Sequence, residues 1–347
     1  MPLIIYVLGF GTFAQGTSEF MLSGLLSSLA GDLGVSLSEA GLLVSAFAGG
    51  MVVGAPLLTL ATLRLPRRAA LVGFQVVFVA GHAAAALVPH FGFLLVMRVV
   101  TGMAYAGFWA LASVTAVSLV PADRRGKAMS VVVSGLSLSM ILGVPAGTLL
   151  AQHAGWRAAF WAVAVMSALS ATAVLLALPG GRGTGAPQLR SRTELGSLAV
   201  PRLWVAYATT ALTVSATIAV FSYLGALLED VTGISEGLVP AVLGLYGVGA
   251  LAGLTVGGRI ADRVPFGVLL TGMGTVAAVA ATIALTADLP AVVIPLAVLL
   301  AAGGFMTNPA VNARVFGILG ETRTLGGAVN IAAFTSASPW LPGCPGW

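Results

Sequence analysis

Charged residues are scarce in this sequence. They make up 8% of its 347 residues, whereas about a quarter of the residues in a soluble domain are charged. Cys344 is the only cysteine, so an internal disulfide is impossible, and no histidine and cysteine residues have the spacing of a metal site. These shortages exclude a soluble enzyme, a nucleic-acid-binding protein and a secreted disulfide-linked domain.

Apolar residues make up 58% of the chain. They form runs of about 20 residues, each long enough to cross ~30 Å of hydrocarbon, and most breaks between the runs are short. Ten complete spans are predicted, at residues 4–27, 40–62, 69–88, 92–118, 128–151, 158–178, 202–228, 238–258, 267–286 and 290–313. The sequence thus predicts an all-α integral membrane protein in which consecutive helices are antiparallel neighbours.

Basic residues are concentrated in alternate loops. Of the sixteen lysines and arginines, only Arg98, inside a span, and Arg157, on the opposite side, depart from this pattern. Because loops rich in these residues stay in the cytoplasm, we expect a multi-pass protein of the cytoplasmic membrane with a cytoplasmic N-terminus. The net positive charge therefore needs no nucleic-acid partner.

A polar segment divides the chain. Residues 179–201 are rich in glycine, proline and serine, which is typical of a flexible linker. This segment separates an N-terminal six-helix bundle at 1–178 from a C-terminal bundle at 202–334. A basic turn at 63–68 in the first bundle has a counterpart at 258–265 in the second, and two such repeats are typical of alternating-access transporters.

The end of the sequence departs from this pattern. An eleventh span should begin near residue 325, but Pro339, Pro342 and Pro345 follow soon after. Each proline inside a helix lowers the stability of that helix by ~3 kcal/mol. Residues 335–347 are therefore expected to be an aberrant tail, such as a shift of reading frame would produce, with helices 11 and 12 incomplete or absent.

Glu19 is the only acidic residue inside a complete predicted span. An ionisable side chain is costly in a membrane and is by default a functional candidate. Surroundings of low dielectric constant favour the neutral form of a carboxylic acid, which would let Glu19 exchange protons near neutral pH. The alternative is a partly solvated acid near the outer end of its helix, held by Thr17 or Ser18.

Arg98 lies in the fourth span. Its guanidinium stays charged, so inside a membrane it needs an acid, backbone carbonyls or water. It either relays charge with Glu19 or sets the pKa of that residue, or it is a structural arginine near the end of the span that bonds carbonyls of a neighbouring helix.

Four further side chains could line a pocket near the middle of the membrane, although core packing or lipid contact would explain each equally well. They are Gln15, Tyr105, Trp109 and Tyr246. The three histidines are expected at the outer membrane interface, and they are His82, His90 and His153.

Small residues and a proline mark the fifth span. Glycine permits close helix packing and proline kinks a helix, so this helix would suit the interface of the two halves. The residues are Gly135, Gly143, Pro145 and Gly147.

Two cytoplasmic turns carry charges that could latch one conformation through ion pairs, or that serve only to orient the chain in the membrane. These residues are Arg64, Arg67 and Arg68 in the first half, and Asp262 and Arg263 in the second.

With these residues in place, the chain from 1 to 334 resembles the twelve-helix drug:proton antiporters of the major facilitator superfamily. Within them it is similar to the chloramphenicol-resistance exporters of actinomycetes. The most specific stretch is FAQGTSEFMLSG at 13–24, and supporting matches lie at 66–68, 120–123, 143–145 and 155–161. The resemblance implies the major facilitator fold of two pseudo-symmetric six-helix bundles.

The resemblance also implies roles for single residues. Arg98 and Gly102 match the Arg-x-x-x-Gly motif of helix 4, which is associated with proton coupling. The glycines of the fifth span lie where the antiporter motif of helix 5 is found.

The latch motif is present in only one half. Gly258, Asp262 and Arg263 match its Gly-x-x-x-Asp-Arg pattern. In the first half, Leu63 stands at the aspartate position and Pro66 at the position of the motif's second glycine.

The expected function is proton-coupled export of chloramphenicol or a related amphenicol antibiotic, which would confer resistance. The protein would act as a monomer on protons and a small-molecule drug, would have no enzymatic activity, and would need no cofactor beyond the proton gradient. The alternatives are a transporter of another solute, such as a sugar or a wider set of drugs, and a remnant that inserts into the membrane without transporting.

Overall fold

The computed structural model describes residues 1–61, 65–121, 124–178, 200–261 and 263–319, and within these ranges every regular element is a helix. The chain forms two compact units, Met1–Gln188 and Leu189–Trp347. Nine helical segments in the described ranges are long and apolar enough to cross a membrane. The protein is therefore a multi-pass membrane protein, as predicted.

The helices have the following bounds. In the first unit they are α1 (Leu3–Phe20), α2 (Leu26–Leu33), α3 (Leu37–Ala61), α4 (Arg67–Leu87), α5 (Phe91–Ser118), α6 (Arg125–Leu138), α7 (Val144–Ala154) and α8 (Trp156–Ala177). In the described part of the second unit they are α9 (Pro201–Ala226), α10 (Val239–Ile260), α11 (Pro265–Leu285) and α12 (Pro290–Leu319).

The first predicted span is not one continuous α-helix. α1 ends at Phe20, a 3-10 turn covers Met21–Gly24, and α2 follows. The hydroxyl of Ser23 donates to the carbonyl of Phe20 at 2.8 Å, and a bond of this kind competes with the regular helical pattern. The polar residues of α1 also lower its hydropathy, so α1 is not one of the nine apolar segments.

The junction between α2 and α3 follows ordinary capping chemistry. Gly34 has a φ of 64°, a left-handed conformation that glycine adopts without strain. The Glu39 amide donates to the Ser36 hydroxyl at 3.2 Å, and the Ser36 amide donates to the Glu39 carboxylate at 2.8 Å. This capping box starts α3.

Glycines bring α3 and α5 into backbone contact. A side chain at Gly50 would collide with the backbone of Val99, and one at Gly54 with the backbone of Met103. Gly102 makes the same kind of contact from the α5 side. Small residues permit such close approach between membrane helices, and here they fix the rotation of α5 and so the direction of its polar side chains.

α10 and α12 pack in the same way in the second unit. Gly249 lies against the backbone of Val298, and Gly253 lies against the backbone of Ala302. Each glycine precedes its partner by the same number of residues as in the first unit, so the two units contain a repeated helix pair.

The predicted fifth span consists of α6 and α7, joined by a π-helical turn at Ser139–Gly143. Pro145, which cannot donate a backbone hydrogen bond, follows this turn, and π-helical turns are frequent at functional sites. Three glycines of the span face α1, where they meet Gly9, Thr17 and Met21, and they are Gly135, Gly143 and Gly147. The sequence placed this helix at the interface of the halves, but the contacts of these glycines lie within the first unit.

Candidate functional site

α1 presents Glu19 one residue before its end. The residue is partly buried, its carboxyl is hydrogen-bonded to the hydroxyl of Tyr105, and it interacts electrostatically with Arg98. Both partners lie on α5, two helical turns apart, so they share one face of that helix. The structure therefore brings together the two residues that the sequence suggested for proton coupling.

Arg98 is held by groups from two neighbouring helices. Its Nε donates to the carbonyl of Leu43 at 3.2 Å, and its Nη1 donates to the carbonyl and hydroxyl of Ser18 at 3.2 and 3.0 Å. The guanidinium also lies 4.1 Å from the centre of the Phe47 ring. Arg98 thus bonds carbonyls of neighbouring helices, as the structural alternative expects, and it also interacts with Glu19. A charge relay between the two stays a prediction.

Ser18 links Arg98 to a histidine of α4. The Ser18 hydroxyl lies 2.6 Å from Nε2 of His82, whose Nδ1 lies 2.9 Å from the carbonyl of Phe78. His82 is only 1% exposed, so its side chain turns inward among the helices, and its depth near the outer membrane interface stays a prediction. Sequence shows how far along a helix a residue lies, but it does not show which face of that helix turns inward.

The other two histidines lie at helix ends and are exposed. Nδ1 of His90 accepts a hydrogen bond from the amide of Phe93 at 3.3 Å and so caps α5. His153 lies in the last turn of α7.

Three of the four predicted pocket residues lie in the first unit. Gln15 is fully buried one turn before Glu19, and neither its Nε2 nor its Oε1 has a hydrogen-bond partner among the described residues. The ring of Tyr105 meets Trp109 edge to face at 6.0 Å and lies 5.8 Å from Phe47. An amide, a carboxyl and a phenol thus line this part of α1 and α5.

Tyr246 lies on α10 of the second unit. It is fully buried, and its ring packs on that of Phe221 at 4.6 Å. Its hydroxyl has no hydrogen-bond partner among the described residues, so a role in substrate binding stays a prediction.

The cytoplasmic motif residues are described only in part. Arg67 donates to the hydroxyl of Ser118 at 2.7 Å, which ties the start of α4 to the end of α5, and Arg68 lies in the first turn of α4. Arg64 and Asp262 lie outside the described residues. The latch role of these residues, and of Gly258 and Arg263, stays a prediction.

Sequence reasoning missed a cluster at the opposite end of the first unit. The carboxylate of Asp32 accepts a bond from Nε1 of Trp156 at 2.8 Å and one from Arg157 at 2.9 Å. The bond from Trp156, and then the bond and the charge of Arg157, lower the pKa of Asp32. The only signal in the sequence was the Trp-Arg pair itself, because its partner lies far away along the chain.

The chemistry of the site is set by the groups beside Glu19. Among the described residues, no group of three or more histidine, cysteine, aspartate or glutamate side chains could hold a metal ion. Glu19 instead has a phenol and a fixed guanidinium beside it, two groups that can stabilise a carboxylate by hydrogen bonding or charge.

Comparison with known proteins adds the family. The Major Facilitator Superfamily profile matches residues 8–341. The chain is 42% identical over 337 residues to a chloramphenicol resistance protein of Streptomyces lividans, covering 96% of this chain and 86% of that protein. It is 34% identical over 333 residues to the inner membrane transport protein YdhP of Escherichia coli strain K12, covering 96% and 85%.

Solved structures show the same fold. A bacterial homologue of the human lysosomal transporter Spinster, inward-facing and unoccupied, matches with a TM-score of 0.81 at 17% identity, over 97% of this chain and 80% of that one. A D-xylose-proton symporter matches with a TM-score of 0.75 at 18% identity, over 96% and 87%.

Proposed function

Because the chain belongs to the Major Facilitator Superfamily, we propose that it exports chloramphenicol or a related amphenicol in exchange for protons. The family and fold expected from the sequence are confirmed, and they make this multi-pass membrane protein a transporter of small molecules. The drug, the direction of transport and the use of protons are the proposal. We further propose that it lies in the cytoplasmic membrane as a monomer with a cytoplasmic N-terminus.

The observation that carries the proposal is the setting of Glu19. This carboxyl is partly buried on α1, is hydrogen-bonded to Tyr105 and lies beside the charge of Arg98, in a chain 42% identical to a chloramphenicol resistance protein. An ionisable group inside a membrane helix is typical of proton relays. Glu19 would bind a proton in one phase of the cycle and release it in the phase that binds the drug.

The charge balance of this exchange has a consequence. Chloramphenicol is neutral, so each proton exchanged for a drug molecule moves one charge across the membrane. Transport would then respond to the membrane potential, at ~2.3 kcal/mol per charge per 100 mV, as well as to the pH gradient.

The test uses inverted membrane vesicles with an acidic interior and labelled chloramphenicol. With one proton per drug, a gradient of one pH unit, about 1.4 kcal/mol, supports roughly tenfold accumulation. We expect Glu19→Gln to abolish this accumulation, because the amide cannot exchange a proton.

Glu39→Gln is the matched control. It makes the same chemical change at an exposed position, and glutamine also serves in a capping box, so uptake should equal that of the unmodified protein. Full accumulation by the Glu19→Gln variant would contradict the proton-carrier assignment. Accumulation of other labelled solutes but not of chloramphenicol would contradict the drug assignment.

A further inference from the structure

A chain of hydrogen bonds runs from the backbone of α4 to Arg98. The carbonyl of Phe78 can only accept, so Nδ1 of His82, 2.9 Å away, donates to it. Nη1 of Arg98 can only donate, so the hydroxyl oxygen of Ser18, 3.0 Å away, accepts. A neutral imidazole that donates from Nδ1 has no hydrogen on Nε2, so the Ser18 hydroxyl donates to Nε2 of His82 at 2.6 Å. With the neutral imidazole, the direction of every bond is fixed.

One end of the Arg98 guanidinium has no hydrogen-bond acceptor among the described residues. Of its five N–H groups, that on Nε goes to Leu43 and those on Nη1 go to the carbonyl and hydroxyl of Ser18. Nη2 is buried and has no hydrogen-bond partner among the described residues. Arg98 is 2% exposed and Phe47 covers its face, so the group is a fixed cation with one free donor end.

The end of α1 explains why Ser18 can supply hydrogen-bond acceptors to Arg98. The amide of Met21 bonds to the carbonyl of Thr17, and the α-helix ends there. Carbonyls near a helix end lose their regular partners, and the next one, that of Ser18, is bonded by Arg98 instead. Both α1 acceptors that hold Arg98 therefore belong to the residue next to Glu19.

We propose that Ser18 and His82 are positioning residues that hold Arg98 so that Nη2 is available to the carboxylate of Glu19. This inference rests on the proposed function, in which Glu19 carries the proton. A hydrogen bond between an arginine and a carboxylate is stronger than one to a neutral acid, so a guanidinium fixed in this way favours release of the proton. Removing the Ser18 hydroxyl disconnects His82 and lets the guanidinium turn.

The charged and titratable groups that face this site are few. Arg98 and Tyr105 approach Glu19 from α5, and His82 reaches the adjacent Ser18 from α4. α6, α7 and α8 also pack against α1; their charged or titratable side chains among the described residues lie near helix ends, and these are Lys127, His153 and Arg157. The proton affinity of Glu19 should therefore depend mainly on how Arg98 and Tyr105 are held.

The test reads the protonation of Glu19 without any drug. Dicyclohexylcarbodiimide reacts with protonated carboxylic acids in apolar surroundings, so the full-length protein in lipid vesicles is labelled across a pH series and the Glu19 peptide is quantified by mass spectrometry. We expect Ser18→Ala to raise the pH of half-maximal labelling by about one unit, a roughly tenfold change in proton affinity. His82→Phe, which removes the acceptor of the Ser18 hydroxyl, should shift it in the same direction by less.

Two controls separate positioning from damage to the fold. Ser18→Thr keeps the hydroxyl and should label like the unmodified protein. Ser28→Ala removes a hydroxyl that donates to the carbonyl of Leu25 at 2.9 Å in the first turn of α2 and should also cause no shift. If Ser18→Ala does not fold, His82→Phe decides the question.

The outcomes distinguish the two proposals. Labelling that depends on pH but is the same in Ser18→Ala, His82→Phe and the unmodified protein overturns the positioning roles alone. Failure of drug uptake with the labelling shifts intact overturns the choice of drug alone. Labelling of Glu19 that does not depend on pH in the unmodified protein overturns both the proton-carrier assignment and the positioning roles.

Discussion

In the first half of the protein, α3 and α5 meet where Gly50 lies on the backbone of Val99. In the second half, α10 and α12 meet where Gly249 lies on the backbone of Val298, at the same spacing along the chain. Arg98 directly precedes Val99, whereas its counterpart directly before Val298 is alanine. The helix packing is thus repeated, but the buried charge is not.

Two further positions extend this comparison. By the same spacing, Tyr105, which contacts Glu19, corresponds to Gly304, and Phe47, which lies under the guanidinium, corresponds to Tyr246. Close backbone contact needs only small residues, so both halves can keep it while their polar side chains diverge. Arg98 and Tyr105, the two residues that interact with Glu19 of α1, accordingly lie on the first-half copy of the repeated pair.

The largest effect is expected from a change at Arg98, the buried charge that has no counterpart in the second-half helix pair. Arg98→Lys keeps the charge but loses the planar fork that bonds Leu43 and Ser18 together. We expect at least a tenfold loss of gradient-driven chloramphenicol uptake, about 1.4 kcal/mol or more. Arg157→Lys, at a 39% exposed side chain, is the control and should retain uptake; equal uptake by both variants would mean that the geometry of Arg98 does not matter.

The repeated packing itself can be tested by adding one methyl group in each half. A Cβ at Gly50 or Gly249 would collide with the facing backbone, and overpacking of this kind costs about 1–3 kcal/mol. We expect Gly50→Ala and Gly249→Ala to lower the Tm in detergent by similar amounts.

One other glycine on α3 and one on α10 serve as matched controls. Gly49 and Gly258 have nothing within 4 Å of an added Cβ, so alanine there should leave the Tm unchanged or raise it, since alanine is up to about 1 kcal/mol better than glycine in a helix. Sensitivity at Gly50 without sensitivity at Gly249 would show that the two halves are not stabilised alike.

Sequence alone could identify the central pair of the site because charge is so rare in the spans. Glu19 and Arg98 were recognised because they are charged residues inside predicted spans, and the structure brings them together. Their supporting residues, Ser18 and His82, could not be found in this way. Serine is ordinary in membrane helices, and the contact between these two joins residues far apart in the chain, so its detection requires knowing which helix faces meet.

Local breaks were equally hard to predict. Hydropathy treats residues 4–27 as one span, yet the helix changes to a 3-10 turn at Met21–Gly24, where a single side-chain bond from Ser23 competes with the backbone. Such breaks depend on hydrogen bonds of about 1 kcal/mol, which an average over 20 residues does not register. Composition also does not say which neighbouring helix the glycines of the fifth span face.

A smaller effect is expected from a substitution at Tyr246, the second-half counterpart of Phe47. The Tyr246 hydroxyl is buried without a described hydrogen-bond partner, and an unsatisfied buried polar group is destabilising by about 1–3 kcal/mol. Tyr246→Phe, which restores the first-half residue type, should therefore raise the Tm modestly. A higher KM without a gain in Tm would instead show that this hydroxyl binds substrate; Tyr105→Phe, whose hydroxyl has a partner in Glu19, should not raise the Tm.

The smallest effect is expected for a substitution at Asp32, in the exposed cluster with Trp156 and Arg157. The control is the same substitution at Asp288, an exposed aspartate of the second half. Bonds from Trp156 and Arg157 lower the pKa of Asp32, so their contribution is present above the unfolded-state pKa, about 4, and is lost as the pH falls through the folded-state value. Because the Asp32 side chain is 44% exposed, Asp32→Asn should cost less than about 1 kcal/mol at pH 7. That difference in unfolding free energy should shrink toward zero on acidification below pH ~4, whereas Asp288→Asn should show no such trend; a difference for Asp32→Asn that persists at low pH would mean that the carboxylate charge does not carry the contact.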